Sequence, residues 1–311
     1  MRKLKIILAL LSLVVAIVIL TTNGHDEKVS SKPLIVTSNF AIFDLVTNIS
    51  KEKFEVENIL PFGVDPHSFE PTPKEVAKLE KSAFFFYSGE VLEPWTQSLA
   101  QEVNAVNLSH HVDLIELDKD NDGDEHEEGH HHHHHGSYDP HYWLDIDNMK
   151  KMAQLVTQKL SQVDRENKTF YEKNSLEYIA KLKELDTLYK QRLLSCKQDT
   201  IVVTHNAFSY LAQRYQFQVE SLTGLSSESQ ASAQDVKHIL KTVKEKGIQT
   251  IFFENFSSSR DMQTIADDLG VKLEVLQPLG NITADECKQS LDYIKIMEIN
   301  LEKISEAMQC N

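Results

Sequence analysis

The chain alternates short runs of β-branched and aromatic residues with longer segments of helical pattern, and this alternation constrains its fold most. Strands separated by helical segments are typical of βαβ units, in which neighbouring strands are parallel. The strand-like runs form two groups of four: LIVT (34–37), VENIL (56–60), AFFFYS (83–88) and NAVNLS (104–109), then TIVVT (200–204), QVESL (218–222), TIFFE (250–254) and KLEVL (272–276). We therefore predict an α/β protein with two lobes, each with a four-stranded, mainly parallel sheet and flanking helices.

A polar segment rich in Lys and Glu separates the two groups of strands. It contains no Pro or Gly between residues 147 and 195, and its apolar residues recur at helical spacing. We predict one long, rigid connector helix over 147–195, roughly 60–70 Å long at about 1.5 Å per residue. The predicted lobes are then 33–146 and 196–311.

The first residues, 1–32, have the layout of an export signal followed by a linker. A basic start precedes an apolar run over 6–20 that only Ser12 interrupts, which is typical of a signal peptide or an N-terminal membrane tether. This run is short of the ~17–25 residues that span a bilayer. We expect an extracytoplasmic protein, in the periplasm or at the outer face of the cytoplasmic membrane, secreted or tethered through residues 1–24.

The charge and the cysteines restrict the choice of partner and of covalent bonds. The formal net charge is −15, which argues against nucleic acid, because phosphate binding needs clustered Lys and Arg.

The three cysteines, Cys196, Cys287 and Cys310, allow one disulfide at most. If 285–308 is one helix, Cys287 and Cys310 lie roughly 34 Å apart, beyond the ~7 Å between Cα atoms that a disulfide allows. We favour Cys196 with Cys310.

The segment 118–136 is acidic, rich in histidine and unable to bury a core, which predicts a mobile loop on the first lobe. Its histidines are His126, His130, His131, His132, His133, His134 and His135. A flexible run of this kind binds metal only loosely, because its ordering costs chain entropy. We expect weak auxiliary metal sites here; the alternative is a solvated, dispensable loop.

Three other histidines follow predicted strands or close a lobe. His205 comes directly after TIVVT, His67 follows the strand that ends at Leu60, and His141 closes the first lobe. Ligands of parallel sheets bind beyond the carboxyl ends of the strands, and three imidazoles with an open fourth position form an ordinary zinc site. Each histidine taken alone could equally be a surface or capping residue. However, His67 and His141 both stand in Asp-Pro-His, where the proline restricts the backbone.

The segments GVDPHSFEPTP (63–73), DPHYWLD (139–145), THNAFSYLAQRY (204–215), TGLSSESQASAQDV (223–236) and LQPLG (276–280) resemble, in order, motifs of the ZnuA-like zinc-binding proteins of ABC importers, the cluster A-I solute-binding proteins. The resemblance runs from 33 to 308. It implies two parallel-sheet lobes joined by a long helix, with His67, His141 and His205 as metal ligands. Manganese-binding relatives have Glu at the position of His205, so the resemblance predicts Zn²⁺ over Mn²⁺, since imidazole favours zinc.

One position departs from the family pattern. Gln277 stands where the family commonly has Asp before Pro-Leu-Gly. We expect the fourth coordination position to be water or Gln277, and zinc binding to be weaker than at an Asp-bearing site. Candidates for orienting the imidazoles are Asp65, Asp139 and Asp145, which could equally serve as turn or cap residues.

The resemblance implies a non-enzymatic, monomeric protein that captures Zn²⁺ between its lobes and passes it to a membrane permease powered by a cytoplasmic ATPase. A Mn²⁺-selective protein of the same transport class is one alternative. An extracytoplasmic zinc hydrolase is another, with Glu70 or Glu228 as its base, although the sequence lacks an HExxH motif. An adhesin role could coexist with metal binding and has no positive sequence signal.

Overall fold

The computed structural model of the chain describes residues 32–117, 138–225, 231–254 and 259–311. The predicted export signal up to residue 31, the histidine-rich loop 118–136 and Glu228 lie outside the described residues. Among the helices of the described ranges, none combines the length and the apolar character needed to cross a membrane.

Two four-stranded parallel sheets form the framework, as the sequence predicts. The strands of the first sheet are β1 (Leu34–Thr37), β2 (Glu55–Asn58), β3 (Phe84–Tyr87) and β4 (Ala105–Asn107). Those of the second are β5 (Thr200–His205), β6 (Gln218–Thr223), β7 (Thr250–Phe253) and β8 (Lys272–Val275). The strand orders are β2-β1-β3-β4 and β6-β5-β7-β8. Both lobes therefore have the same topology, in which the first strand of the lobe is one of the two central strands of its sheet.

Both faces of the first sheet are covered, as in other parallel sheets flanked by helices. All four residues of β3 are buried. Phe84 and Phe86 belong to the large core that extends into the second lobe. Phe85 and Tyr87 pack on the opposite face with Val36. This explains why the run FFFY is aromatic throughout and carries no charged residue.

Helices lie between the strands of each lobe and, in the second lobe, also after β8. They are α1 (Phe40–Ser50), α2 (Pro73–Leu79) and α3 (Thr96–Leu99) in the first lobe, and α6 (Ser209–Tyr215), α7 (Ala233–Lys246), α8 (Ser259–Leu269), α9 (Ala284–Lys288) and α10 (Tyr293–Ala307) in the second. Side chains cap several helix starts: Asn39 accepts from the amide of Ile42 before α1, and Thr72 forms a capping box with Glu75 before α2.

The connector is two helices rather than the single helix expected over 147–195. They are α4 (Ile146–Val163) and α5 (Lys168–Arg192). The Oγ of Ser175 in α5 donates to the carbonyl of Ala153 in α4 at 3.5 Å, whereas a continuous helix would separate these residues by about 33 Å. The chain leaves the helix at Asp164, whose carboxylate accepts hydrogen bonds from Asn167 and Tyr171. Such local bonds from an Asp side chain compete with helix continuation.

Helix α5 contacts both lobes. Its Tyr178 donates to the carboxylate of Asp44 in α1 of the first lobe at 2.9 Å. Its Tyr189 donates to the carbonyl of Met297 in α10 of the second lobe at 2.6 Å. This 25-residue helix therefore contacts both lobes, and it is shorter than the connector helix predicted over 147–195.

Cys196 and Cys310 form a disulfide, which confirms the favoured pairing. Cys287 is an exposed free thiol. The single helix over 285–308, which was the condition for separating Cys287 from Cys310, does not form, because the helix ends at Lys288 and a new one starts at Tyr293. Ser290, between them, has a positive φ of 54°. Cys310 lies just beyond α10, next to the turn that leads from α5 to β5.

Candidate metal centre

The three predicted histidines converge in the cleft between the lobes. The Nε2 atoms of His67 and His141 are 3.2 Å apart, and those of His141 and His205 are 3.4 Å apart. Two nitrogens that bind Zn²⁺ at ~2.0–2.1 Å with a tetrahedral angle lie about 3.3–3.4 Å from each other. Among the described residues these three form the one group of His, Cys, Asp and Glu side chains spaced to hold a metal ion. The spacing of the three nitrogens fits one tetrahedral metal.

The two Asp-Pro-His sequences form the same local turn. The amide of His67 donates to Asp65 Oδ1 at 2.9 Å, and the amide of His141 donates to Asp139 Oδ1 at 3.0 Å. An Asp side chain that accepts from the amide two residues ahead stabilises a tight turn. The repeated sequence therefore presents both imidazoles from equivalent turns of the backbone.

His205 is the last residue of β5, at the carboxyl end of the second sheet. Glu254 follows β7, the neighbouring strand, and its carboxylate pairs with Nδ1 of His205. Both side chains are buried. Sequence analysis missed Glu254, although its place after the run TIFF carries the strand-end signal that identified His205.

A carboxylate also holds the ring of His141. Its Nδ1 lies 2.8 Å from Asp139 Oδ1, so this carboxylate contacts both the main chain and the ring of one histidine. A ring nitrogen that donates to a carboxylate directs the other nitrogen to a metal. Asp139 and Glu254 thus aim two Nε2 atoms into the cleft.

The other two candidate aspartates also accept hydrogen bonds from main-chain amides. Asp65 accepts from the main chain of His67. Asp145 caps α4 by accepting from the amides of Asp147 and Asn148, and it also pairs with Arg214. Asp145 therefore serves as a helix cap rather than as a partner of an imidazole.

The cavity between the histidines is small. Its volume is about 10 Å³, close to the space of one water-sized sphere. His141 and His205 are each 2% exposed, and His67 is half-buried. Burial, and then the neighbouring His141, lowers the pKa of His67 to about 3. His67 is therefore neutral at neutral pH and can donate its lone pair to a metal.

The side chain of Gln277 is turned away from the histidines. Its Nε2 donates to the carboxylate of Glu286 at 3.1 Å, and its Oε1 accepts from the amide of Leu279 at 3.3 Å. It is buried but does not line the cavity. The structure does not support a ligand role for Gln277, because both ends of its amide already have partners.

Replacement of Gln277 by Asp is expected to leave the zinc affinity unchanged. A carboxylate at this position faces Glu286 and loses the amide donor, so the free energy of unfolding should fall by about 1–3 kcal/mol, the usual cost of an unsatisfied buried polar group. Chelator competition measures the affinity and urea denaturation the stability. Tighter zinc binding in Gln277→Asp would contradict this geometry.

The proposed hydrolase bases gain no support from the described residues. Glu70 is exposed and does not line the cavity, and Glu228 lies outside the described residues. Glu254 lines the cavity, but its carboxylate pairs with a histidine ring.

Comparison with known proteins agrees with the geometry of the cleft. The model of the ZnuA family, described as zinc-uptake complex component A, periplasmic, matches residues 35–307. The high-affinity zinc uptake system protein ZnuA of Bacillus subtilis strain 168 is 34% identical over 293 residues, which are 93% of this chain and 91% of that protein.

Two further relatives come from Streptococcus pneumoniae. The zinc-binding lipoprotein AdcA of strain R6 is 30% identical over 311 residues, 98% of this chain and 61% of that protein, so the chain spans about three fifths of AdcA. The crystal structure of the Zn(II)-bound ZnuA-like domain of AdcA superimposes with a TM-score of 0.74 at 29% identity and covers 89% of this chain and 99% of that domain.

Proposed function

The chain belongs to the ZnuA family of zinc-uptake components, and we propose that it binds one Zn²⁺ between its lobes and delivers it to an ABC importer. His67, His141 and His205 are the proposed ligands, with water in the fourth position. The observation that carries this proposal is the spacing of the Nε2 atoms, 3.2 and 3.4 Å, which matches tetrahedral coordination by nitrogen.

The donor set supports zinc as the substrate. Three imidazole nitrogens suit Zn²⁺, whereas Mn²⁺ prefers carboxylate, carbonyl and water oxygens. The two carboxylates nearest the histidines, Asp139 and Glu254, contact Nδ1 atoms and so lie behind the rings. Their negative charges offset the charge of a bound divalent ion, which favours a metal at a site that is largely excluded from water.

Family membership supports the proposed partners and location. ZnuA-family proteins work with a membrane permease and an ATPase, and we assign the same two partners to this chain. The family description places its members in the periplasm, which supports an extracytoplasmic location. The histidine-rich loop is proposed to hold additional, weaker zinc sites that collect the ion near the cleft.

The size of the cavity favours a carrier over an enzyme. About 10 Å³ is the space of one water-sized sphere, which suits a single ion. Binding and release of the metal is therefore the activity that this cleft supports.

Competitive titration of the full chain against a chromophoric zinc chelator tests the proposed function. We expect one tight equivalent of Zn²⁺, weaker additional equivalents, and much weaker binding of Mn²⁺ under the same conditions. Absence of a tight first equivalent, or preference for Mn²⁺, would overturn the proposal.

Glu254→Gln is expected to weaken zinc binding by about 10- to 100-fold, the usual effect of losing a group that orients a metal ligand. The amide keeps the shape of the side chain, but it removes the negative charge that holds Nδ1–H of His205 and lets the ring rotate. The matched control is Glu220→Gln, since Glu220 pairs with the exposed His238 on the surface. Equal affinities for the two variants would show that Glu254 does not position His205.

A further inference from the structure

We infer that Asn281 is a positioning residue for His67, which it reaches from the opposite side of the cleft through the main chain of the segment 61–64. This inference rests on the proposed function, because it assigns to Asn281 the task of holding one of the three metal ligands. Asn281 directly follows the LQPLG sequence (276–280). None of the three proposed ligands comes from this sequence.

Asn281 stands on a rigid support. The residues 276–282 are all buried. Asn300 of α10 accepts from the amide of Gln277 at 3.1 Å and donates to its carbonyl at 2.7 Å. Trp143 of the first lobe donates to the carbonyl of Pro278 at 2.7 Å. These bonds attach the segment both to its own lobe and to the first lobe.

The side chain of Asn281 is fully buried, and its Nδ2 group makes two hydrogen bonds across the cleft. It donates to the carbonyl of Pro61 at 2.7 Å and to the carbonyl of Val64 at 2.8 Å. The amide of Gly63 adds a third bond by donating to the carbonyl of Ile282 at 3.0 Å. One buried amide therefore fixes both ends of the segment 61–64, whose first three residues are exposed to solvent.

The segment 61–64 leads directly to His67, the least buried of the three ligands. The amide of His67 donates to Asp65 Oδ1 at 2.9 Å, so the main chain of this ligand is held within the same loop. Only Asp65 and Pro66 separate this segment from His67, so the position of the ring follows the position of the loop. Asn281 fixes that loop against the second lobe.

Asn281→Ala removes both donors and is expected to weaken zinc binding by about 10- to 100-fold, as for other groups that support a metal ligand. The matched control is Asn174→Ala. Asn174 also donates to a main-chain carbonyl, that of Ile49 at 2.9 Å, but it joins α5 to α1 away from the cleft. This control is expected to bind zinc as tightly as the unaltered chain.

A double-mutant cycle with His67→Ala separates positioning from general destabilisation. If Asn281 acts through His67, Asn281→Ala causes no further loss of zinc affinity once His67 is replaced. An equal loss in both backgrounds, or no loss in the unaltered chain, overturns the inference. Should Asn281→Ala not fold, Asn281→Ser, which keeps a buried polar group, is tested in the same cycle. Unchanged affinity of His67→Ala itself would instead overturn the proposed ligand set, and this inference with it.

Discussion

Replacement of His141 by Ala is expected to lower the zinc affinity by roughly 100- to 1,000-fold. The binding free energy of a zinc site with four ligands is ~10–16 kcal/mol, which is about 2.5–4 kcal/mol for each ligand. Each ~1.4 kcal/mol corresponds to a tenfold change in affinity. His141 is the central ligand, because its Nε2 lies 3.2 Å from that of His67 and 3.4 Å from that of His205. Its loss also leaves the carboxylate of Asp139 buried without its imidazole partner.

Chelator competition at neutral pH measures this loss, with calorimetry to count the tight equivalents. The matched control is His238→Ala, because the side chain of His238 is 59% exposed and pairs with Glu220 on the surface. The control should keep the affinity of the unaltered chain. Retention of a tight one-to-one site in His141→Ala would show that the cleft is not where zinc binds.

The sheets and the places of His205 and His67 were predictable because they follow from strand position. Alternating strands and helices specify parallel sheets, and parallel sheets bring the ends of their strands to one edge. His205 and the loop that carries His67 therefore had to lie at the cleft edge of their lobes. The two Asp-Pro-His sequences added a local turn that the structure repeats at both sites.

The errors have a different physical origin, which is the direction of individual side chains. Helical spacing continues on both sides of Asp164, so the pattern did not reveal that this carboxylate would accept from Asn167 and Tyr171 and end the helix. Gln277 was one of two candidates for the fourth coordination position, the other being water, but the carboxylate of Glu286, nine residues later, accepts from its amide. Glu254 is one residue past a strand, and only the strand order places it beside His205.

Replacement of both Cys196 and Cys310 by Ser is expected to lower the free energy of unfolding by about 4–5 kcal/mol, because the loop they close is long. The two cysteines are 114 residues apart, and the disulfide fastens the end of the chain to the turn before β5. A hydrogen bond joins the same two segments, because the amide of Gln198 donates to the carbonyl of Met308 at 3.0 Å. At ~2–4 °C per kcal/mol for a large domain, the melting temperature should fall by roughly 8–20 °C.

Zinc affinity should survive this change, which makes the disulfide separable from the site. Cys196 precedes the amino end of β5, whereas His205 is at its carboxyl end, about 20 Å away at ~3.3 Å per residue along the strand. Thermal unfolding followed by circular dichroism, with and without zinc, measures both effects. The matched control is Cys287→Ser, which replaces the exposed free thiol and should leave the melting temperature unchanged. If the Cys196→Ser, Cys310→Ser chain melts at the same temperature as this control, the disulfide does not stabilise the fold. If it melts at a lower temperature and its zinc affinity also falls, the disulfide affects the metal site through β5.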